Sequence, residues 1–359
     1  MKSTVRFFCI AIFSSLSLAW AKESDWKLFL LPEFGMKHGT VGEYVFAKTS
    51  NYSDDMISEL IYDIKPELYG GLKIGGGWRN IAAEVSVSAG FPMKTGTLAD
   101  SDWLNNSTSE VSKASSLLTS NYKTNYSESE CNLDYDFSCA IKLGYAFPVF
   151  KNSILSINVK PFYSFGFNNF KFTAKNGEAW YGAKLADGYY AAWNDEANRA
   201  SNSGKFSSTV SNYDGEDLSY RRWSVIHWIG FDATVGLPLK FTVNAGFQVA
   251  PYVYAESTDL HYLNNSYGGT AYLDVADGFF STFKWNCGVS YQISRRNTVS
   301  VSASWFYLKT LRGDSYKKLY SQYKKDDEKF YSSEKISSTE SGTNQFYFDL
   351  SVGWKFSIF

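Results

Sequence analysis

The feature that most constrains this 359-residue chain is an alternation of apolar and polar residues with period two, sustained over long runs. Near the C-terminus, apolar side chains occupy every second position from Phe346 to Ile358. Similar runs cover residues 81–91, 133–147 and 299–305. Because successive side chains of a strand point to opposite faces, each run predicts a β-strand with one apolar face. Several runs exceed the length of about five or six residues that is usual for globular strands.

Connections of two lengths alternate along the chain. Short links are predicted near residues 75–80, 148–153, 236–240 and 294–298. Long polar links are predicted near residues 38–56, 99–129, 176–217, 259–278 and 312–341. Such an alternation is typical of membrane barrels, whose strands are joined by short periplasmic turns and long outer loops. The sequence therefore predicts an all-β fold: a ten-stranded antiparallel transmembrane β-barrel with five long outer loops and short periplasmic turns.

The N-terminus predicts export. Lys2 and Arg6 precede an apolar run at 7–19, and small residues follow at Ala19 and Ala21. This pattern indicates a signal peptide over residues 1–21, which leaves residues 22–359 as one barrel domain. A soluble exported β-protein is the alternative, but it would have to cover the apolar face of the final strand. A barrel in the outer membrane satisfies that face with lipid and leaves no strand edge unpaired.

Two short motifs carry titratable side chains, Asp100-Ser101-Asp102 and Asp259-Leu260-His261. Residues i and i+2 of an extended chain share a face, so each motif presents two polar groups together. Taken alone, both motifs would be ordinary solvated turns. The parity of the strand that begins at Ile81 places Asp100 and Asp102 on the lumen side. Asp259 and His261 inherit an outward face unless a bulge near residues 250–251 resets the register, which the proline at that point favours.

These two motifs, in this order and on these connections, resemble the omptin family of outer-membrane proteases. Further segments resemble omptins as well: GEYVF at 42–46, ISEL at 57–60 and FTAKNG at 172–177. The similarity extends over almost the entire mature chain. The resemblance implies an aspartic-type endopeptidase that cleaves surface-accessible peptides next to basic residues, with an active site that faces the exterior.

The resemblance also implies a role for each site residue. Asp259 would orient His261, which acts as a general base towards water. Asp100 and Asp102, on the opposite side, would hold and polarise that water. Glu43 would recognise a basic residue before the cut. No covalent intermediate, metal or cofactor is expected, and a neighbouring carboxylate is expected to raise the histidine pKa.

The sequence departs from the omptin pattern at a few positions. Ser257 replaces a second acid of the family, two residues before Asp259, and Leu260 replaces a polar residue. Strict dibasic cleavage is therefore not predicted. Asn169 aligns with a wall arginine that holds lipopolysaccharide in the family, and either Arg221 or Arg222 fits the other such position. Lipopolysaccharide is consequently left open as an activator.

Two other functions stay open at this stage. The chain could be a catalytically silent omptin-like barrel that acts as an adhesin, or a small porin. A ten-stranded barrel has a lumen that side chains mostly fill, which disfavours the porin. Peptide substrates and outer-membrane lipid are the expected partners. Nucleic acid is not expected, because the net charge is only −1.

Overall fold

A computed structural model describes residues 26–48, 56–107, 122–186, 188–205, 216–262, 270–319 and 334–358. The predicted signal peptide at 1–21 lies outside these residues and stays a prediction. The longer strands are β1 (Trp26–Ala47), β2 (Met56–Trp78), β3 (Ile81–Gly90), β4 (Met93–Asp102), β5 (Asn125–Tyr145), β7 (Ser156–Tyr181), β9 (Glu216–Gly236), β10 (Phe241–His261), β11 (Thr270–Gly278), β12 (Thr282–Gln292), β13 (Asn297–Leu319) and β15 (Thr339–Ser357). Three short strands are β6 (Phe147–Lys151), β8 (Gly204–Lys205) and β14 (Glu334–Lys335).

Helical structure is minor in the described part of the chain. It consists of α1 (Leu104–Ser107) and two 3-10 turns at Glu196–Asn198 and Pro238–Lys240. None of these helices is long and apolar enough to cross a membrane.

The described strands close into a ring. β1 pairs with β2 on one side and with β15 on the other. β3 and β4 both lie between β2 and β5, so together they form one barrel strand. β11 and β12 form another in the same way, between β10 and β13. Counted in this way the ring has ten strands, all paired antiparallel, and the predicted fold class is confirmed.

The lower part of the barrel shows the alternation that the sequence predicts. On β15, Leu350, Val352 and Trp354 are exposed, whereas Ser351 and Gly353 between them are buried. An apolar outer face of this kind is what a lipid bilayer solvates. We take the stretches with exposed apolar side chains as the membrane-spanning segments.

The upper limit of this apolar band can be followed around the ring. The last exposed apolar side chain is Met36 on β1, and on the strand formed by β3 and β4 it is Phe91. On β15 the band begins at Phe346, which pairs with Thr40 of β1. The strands continue beyond this level, towards the end of the barrel that carries the longer connections.

Side chains fill the lumen at two levels. Within the membrane band, the Lys37 ammonium donates to Glu67 Oε1 at 2.7 Å and also contacts the Asp136 carboxylate. Above it, the Tyr62 ring stacks on Phe172 and Tyr220, with centroids 5.6 and 4.8 Å apart. A lumen filled in this way argues against the porin.

The predicted outer connections are too long and are corrected by the structure. β1 extends to Ala47, β4 to Asp102 and β10 to His261, and β11 occupies residues 270–278. The outer connections therefore shorten to 48–55, 103–124, 182–215, 262–269 and 320–338. Above the apolar band no lipid selects an apolar outer face, so the alternation ends while the hydrogen-bonded ladder continues. The two acidic motifs consequently lie in strands and not in loops.

Candidate functional site

A bulge in β10 turns one of the two motifs into the lumen. The β9–β10 pairing changes register between Val249 and Tyr252. Below this point odd-numbered residues such as Val243 are exposed, and above it odd-numbered residues such as Val253 are buried. The register change predicted near residues 250–251 is confirmed. Asp259, on the odd-numbered face above the bulge, is therefore buried with only 2% of its surface exposed.

The other motif lies on β4, on the lumen face predicted from parity. Asp100 pairs with Leu60 of β2, which is buried in the same apolar cluster as Leu98. Asp102 pairs with Asn125 of β5, and the Asn125 amide donates to Asp102 Oδ2 at 3.1 Å. The strand is irregular between Lys94 and Gly96, yet the even-numbered face that begins in β3 is retained at the two aspartates.

Asp259 and His261 contact each other directly. His261 Nε2 is hydrogen-bonded to Asp259 Oδ2, which leaves Nδ1 as the second ring nitrogen. The ring of Tyr272 packs edge-on against the imidazole, with centroids 5.5 Å apart. Burial alone would lower the histidine pKa. The charge and hydrogen bond of Asp259, together with the charges of Asp100 and Asp102, outweigh burial and raise the His261 pKa to about 8. These groups lie above the apolar band.

Both aspartates of β4 have raised pKa values. Burial, followed by the charge of Asp102, raises the Asp100 pKa to about 8, although His261 acts in the opposite direction. Burial also raises the Asp102 pKa, while hydrogen bonds from Ser58 and Asn125 lower it. Near neutral pH the pair therefore holds a proton on Asp100, in keeping with the expectation that two close carboxylates do not both ionise.

The structure brings all four predicted catalytic residues to one end of the lumen. Three barrel strands, β5, β7 and β9, separate β4 from β10 along the shorter arc of the ring. The two motifs thus approach from roughly opposite walls. Asp100 and Asp102 both raise the His261 pKa, which places them within electrostatic range of the imidazole. This arrangement can hold a proton acceptor and a proton donor on the two sides of a bound water.

Glu43 and Asp274 extend the acidic cluster. Glu43 of β1 is 3% exposed and accepts a hydrogen bond from the Tyr62 hydroxyl at 3.4 Å. Burial raises the Glu43 pKa well above its ordinary value, and the charges of Asp259 and Asp274 raise it further. Burial also raises the Asp274 pKa, to about 7, while hydrogen bonds that include one from Glu43 lower it. Near neutral pH Glu43 therefore keeps its proton and is hydrogen-bonded to Asp274.

Asp274 is a site residue that the sequence analysis missed. It belongs to a stretch predicted as a loop, whereas the structure places it in β11 opposite Ser257. A signal was available, because Asp274 is flanked by Leu273 and Val275 and shares a face with Ala276. That pattern describes a strand with a carboxylate on its small-residue face.

The remaining departures from the omptin pattern also find their places. Arg222 is 1% exposed and donates to Thr343 Oγ1 at 2.8 Å, so it belongs to the lumen and not to the lipid-facing wall. Arg221 lies on the outer face and donates to Asn169 Oδ1 at 3.4 Å. Leu260 alternates with the dyad residues and therefore faces away from the lumen.

In the described ranges, no three His, Cys, Asp or Glu side chains are arranged to hold a metal ion.

Comparison with known proteins places this geometry in context. The model of the Omptin family matches residues 30–358, and no curated protein sequence matches the chain. The outer membrane protease OmpT from Escherichia coli aligns with a TM-score of 0.66 at 13% identity, over 95% of this chain and 99% of that chain. The translocator domain of the autotransporter NalP from Neisseria meningitidis aligns with a TM-score of 0.31 at 9% identity, over 96% and 92%. Only the first alignment is close enough to show a shared fold.

Proposed function

The chain belongs to the omptin family of outer-membrane proteases, and on that premise we propose that it is an aspartic-type endopeptidase that cuts peptides next to a basic residue. The observation that carries the proposal is the hydrogen-bonded dyad of Asp259 and His261, which lies within electrostatic range of Asp102 and of the protonated Asp100. A catalytically silent barrel has no need of such an arrangement, because gathering several carboxyl groups around one histidine away from water is unfavourable.

The histidine dyad supplies the base in the proposed mechanism. Because Nε2 is bonded to Asp259, Nδ1 is the nitrogen that accepts a proton from water. The hydroxide equivalent that this transfer creates attacks the peptide carbonyl carbon, and the carbonyl π electrons move to oxygen. The neighbouring Asp259 carboxylate stabilises the imidazolium that results.

The aspartate pair supplies the acid side of the same step. Asp100 holds a proton near neutral pH, so its carboxyl group can donate a hydrogen bond to the oxyanion of the tetrahedral intermediate. Asp102 is fixed by Asn125 and accepts a hydrogen bond from the attacking water, which keeps the water between the two walls. Collapse of the intermediate returns the electron pair to the carbonyl carbon, breaks the C–N bond, and passes the imidazolium proton to the leaving amine.

Selection of a basic residue rests on the negative charge of the site. Glu43 is buried beside Asp259 and Asp274, and a buried carboxylate without a cation gains most from a charged ligand. A lysine or arginine side chain would supply that cation. Strict selection of two basic residues is not part of the proposal, since Ser257 provides no charge.

We place the active site at the outer surface of the cell. The connections at its end of the barrel, such as 103–124 and 182–215, are longer than the turns at 79–80 and 237–240. In bacterial barrels the longer loops are extracellular. Peptides outside the cell would then reach the cluster without crossing the membrane.

A refolding experiment tests the proposal. The mature chain, residues 22–359, is refolded in detergent with and without lipopolysaccharide and incubated with a peptide library. We expect cleavage next to Lys or Arg, and loss of that cleavage in His261→Ala and in Asp100→Ala. Cleavage that survives in both variants would refute the dyad and aspartate roles. Intact cells that express the protein should cleave an added peptide if the site faces outward.

A further inference from the structure

We propose that Glu43 and Asp274 are the two carboxylates of the pocket that receives the basic side chain. Asp274 takes the place of the family's second acid, whose position is occupied by Ser257 in this chain. The inference rests on the proposed function and deepens it. It makes Asp274 a specificity-determining residue, and it assigns a single lysine or arginine as the group that the pocket takes.

The position of Asp274 follows from strand pairing. Asp274 of β11 lies directly across from Ser257 of β10. Ser257 is the residue two positions before Asp259. Directly opposed residues of an antiparallel pair have β-carbons about 4.5–5.5 Å apart and share a face. A carboxylate on β11 therefore reaches nearly the same part of the lumen as a carboxylate at position 257 would.

Burial and hydrogen bonding indicate that this carboxylate awaits a ligand. Asp274 is 8% exposed, and within the described part of the chain its Oδ1 has no hydrogen-bond partner. The neighbouring Asp259 Oδ1 is buried and unpartnered as well. Leaving a buried acceptor unsatisfied is unfavourable, so these oxygen atoms are available to a donor that arrives with the substrate.

In the described part of the chain, the buried arginine that strand pairing brings nearest to Glu43 and Asp274 is bonded to other groups. Arg222, the buried guanidinium nearest in the strand ladder, donates to Thr343 Oγ1, to the Asn344 carbonyl and to the Gln345 side chain. Thr343 in turn pairs with Glu43 across β1 and β15. The arginine is thus held by neutral groups beside the pocket while Glu43 is hydrogen-bonded to Asp274.

The chemistry of this pair matches one monovalent cation. Glu43 keeps its proton and is hydrogen-bonded to Asp274, and this proton would leave when a guanidinium or ammonium group arrives. Charge-assisted hydrogen bonds of this kind are roughly twice as strong as neutral ones. The stacked rings of Tyr62, Phe172 and Tyr220 adjoin this pair, since the Tyr62 hydroxyl donates to Glu43.

Matched peptides test the inference. Two peptides are identical except that one carries arginine before the cut and the other carries citrulline, which has the same shape without the charge. Asp274→Asn should lower kcat/KM for the arginine peptide by about tenfold to a hundredfold and leave the citrulline peptide nearly unchanged. The control is Asp277→Asn, on the same strand but exposed on the outer face, which should change neither value.

A second variant, which moves the carboxylate to the neighbouring strand, keeps the test informative if Asp274→Asn misfolds. The double variant Asp274→Ser, Ser257→Asp returns the carboxylate to β10 and should keep the preference for arginine over citrulline. Equal losses on both peptides in Asp274→Asn would overturn the inference, because Asp274 would then act through Asp259. An unchanged preference in Asp274→Asn would also overturn it.

The wild-type protein separates failure of the inference from failure of the proposed function. Cleavage of neither peptide would refute the endopeptidase proposal and the pocket with it. Equal cleavage of both peptides would leave the endopeptidase standing and refute the two-carboxylate pocket alone.

Discussion

Two clusters of charged side chains in the described part of the lumen differ in one respect. In the lower cluster, within the membrane band, Lys37 lies between Glu67 and Asp136, and Asp136 also accepts a hydrogen bond from Asn168 at 2.7 Å. In the upper cluster, five carboxyl groups surround a single histidine: Glu43, Asp100, Asp102, Asp259 and Asp274.

The difference indicates that the lower cluster serves stability and the upper cluster serves function. The lower cluster has a cation and a polar amide in place, so it is satisfied without any ligand. The upper cluster holds excess protons, and among the described residues two of its buried carboxylate oxygens have no hydrogen-bond partner. Folding alone does not favour such an arrangement. We therefore expect substitutions in the lower cluster to affect stability, and substitutions in the upper cluster to affect activity.

The largest effect is expected for the dyad carboxylate. Asp259→Asn removes the charge that holds the imidazole, so kcat should fall by about 10²–10⁴-fold, as for other losses of acid–base catalysis. The control is Glu256→Gln, the neighbouring acid on the outer face, which accepts from the Trp223 indole. Steady-state cleavage of a fluorogenic basic peptide measures both. Comparable losses of kcat in Asp259→Asn and Glu256→Gln would show that the lumen carboxylate has no special role in catalysis.

The lower cluster should respond in stability. Lys37→Met leaves Glu67 and Asp136 buried without their cation, and breaking a buried ion pair in this way costs about 3–5 kcal/mol. Urea unfolding in detergent, followed by tryptophan fluorescence, measures the loss. The exposed pair of Lys335 and Asp314 provides the control, because Lys335→Met should have no measurable effect. An unaltered unfolding midpoint in Lys37→Met would contradict the account of this cluster.

The upper cluster should make stability depend on pH. The pKa values of Asp100 and Asp274 are raised to about 8 and about 7 in the folded protein, so these groups bind protons that the unfolded chain releases at lower pH. Their contribution is complete below the unfolded pKa and is lost as pH rises through the folded value. Unfolding free energy should therefore fall between pH 5 and 8 by at least about 1 kcal/mol. Asp100→Asn should flatten this slope, and an identical slope would contradict the assignment.

A smaller effect is expected in the pH profile of activity. His261 must be neutral to accept a proton and Asp100 must hold one, and both pKa values are about 8, so kcat/KM should pass through a maximum near that pH, with a rising limb that His261 sets. Removing the negative charge of the pair in Asp102→Asn should lower the histidine pKa and move the limb to lower pH. The profile of residual activity, measured with one peptide from pH 5 to 10, detects the shift. A limb that moves upward would show that His261 is not the base.

Sequence reasoning predicted the fold because lipid imposes a simple rule on the lower barrel. Each strand there needs an apolar outer face, so the period-two pattern, as in Phe346 to Ile358, specifies strand and orientation together. The β10 bulge was predictable for the same reason, since Asp259 had the wrong parity and Pro251 marked the place where it could change. The register shift between Val249 and Tyr252 confirms that reasoning.

Sequence reasoning failed above the membrane band, where lipid does not contact the strands. Above the apolar band the outer faces carry mixed residues, so strand ends such as Ala47 and the whole of β11 were predicted as loops. Asp274 was lost with β11, and its relation to Ser257 becomes visible only through pairing. The ion cluster of Lys37, Glu67 and Asp136 could not be predicted either. Its members lie on three strands, and strand register, not the local sequence pattern, brings them together.

The upper acidic cluster serves catalysis and opposes stability, and the variant Asp100→Asn separates these two effects. Cleavage and urea unfolding are measured on one preparation at pH 8, where the wild-type carboxyl group is half ionised. We predict that kcat/KM falls by about a hundredfold or more while the unfolding free energy rises. Unchanged cleavage, or a fall in unfolding free energy like that expected for Lys37→Met, would contradict the account.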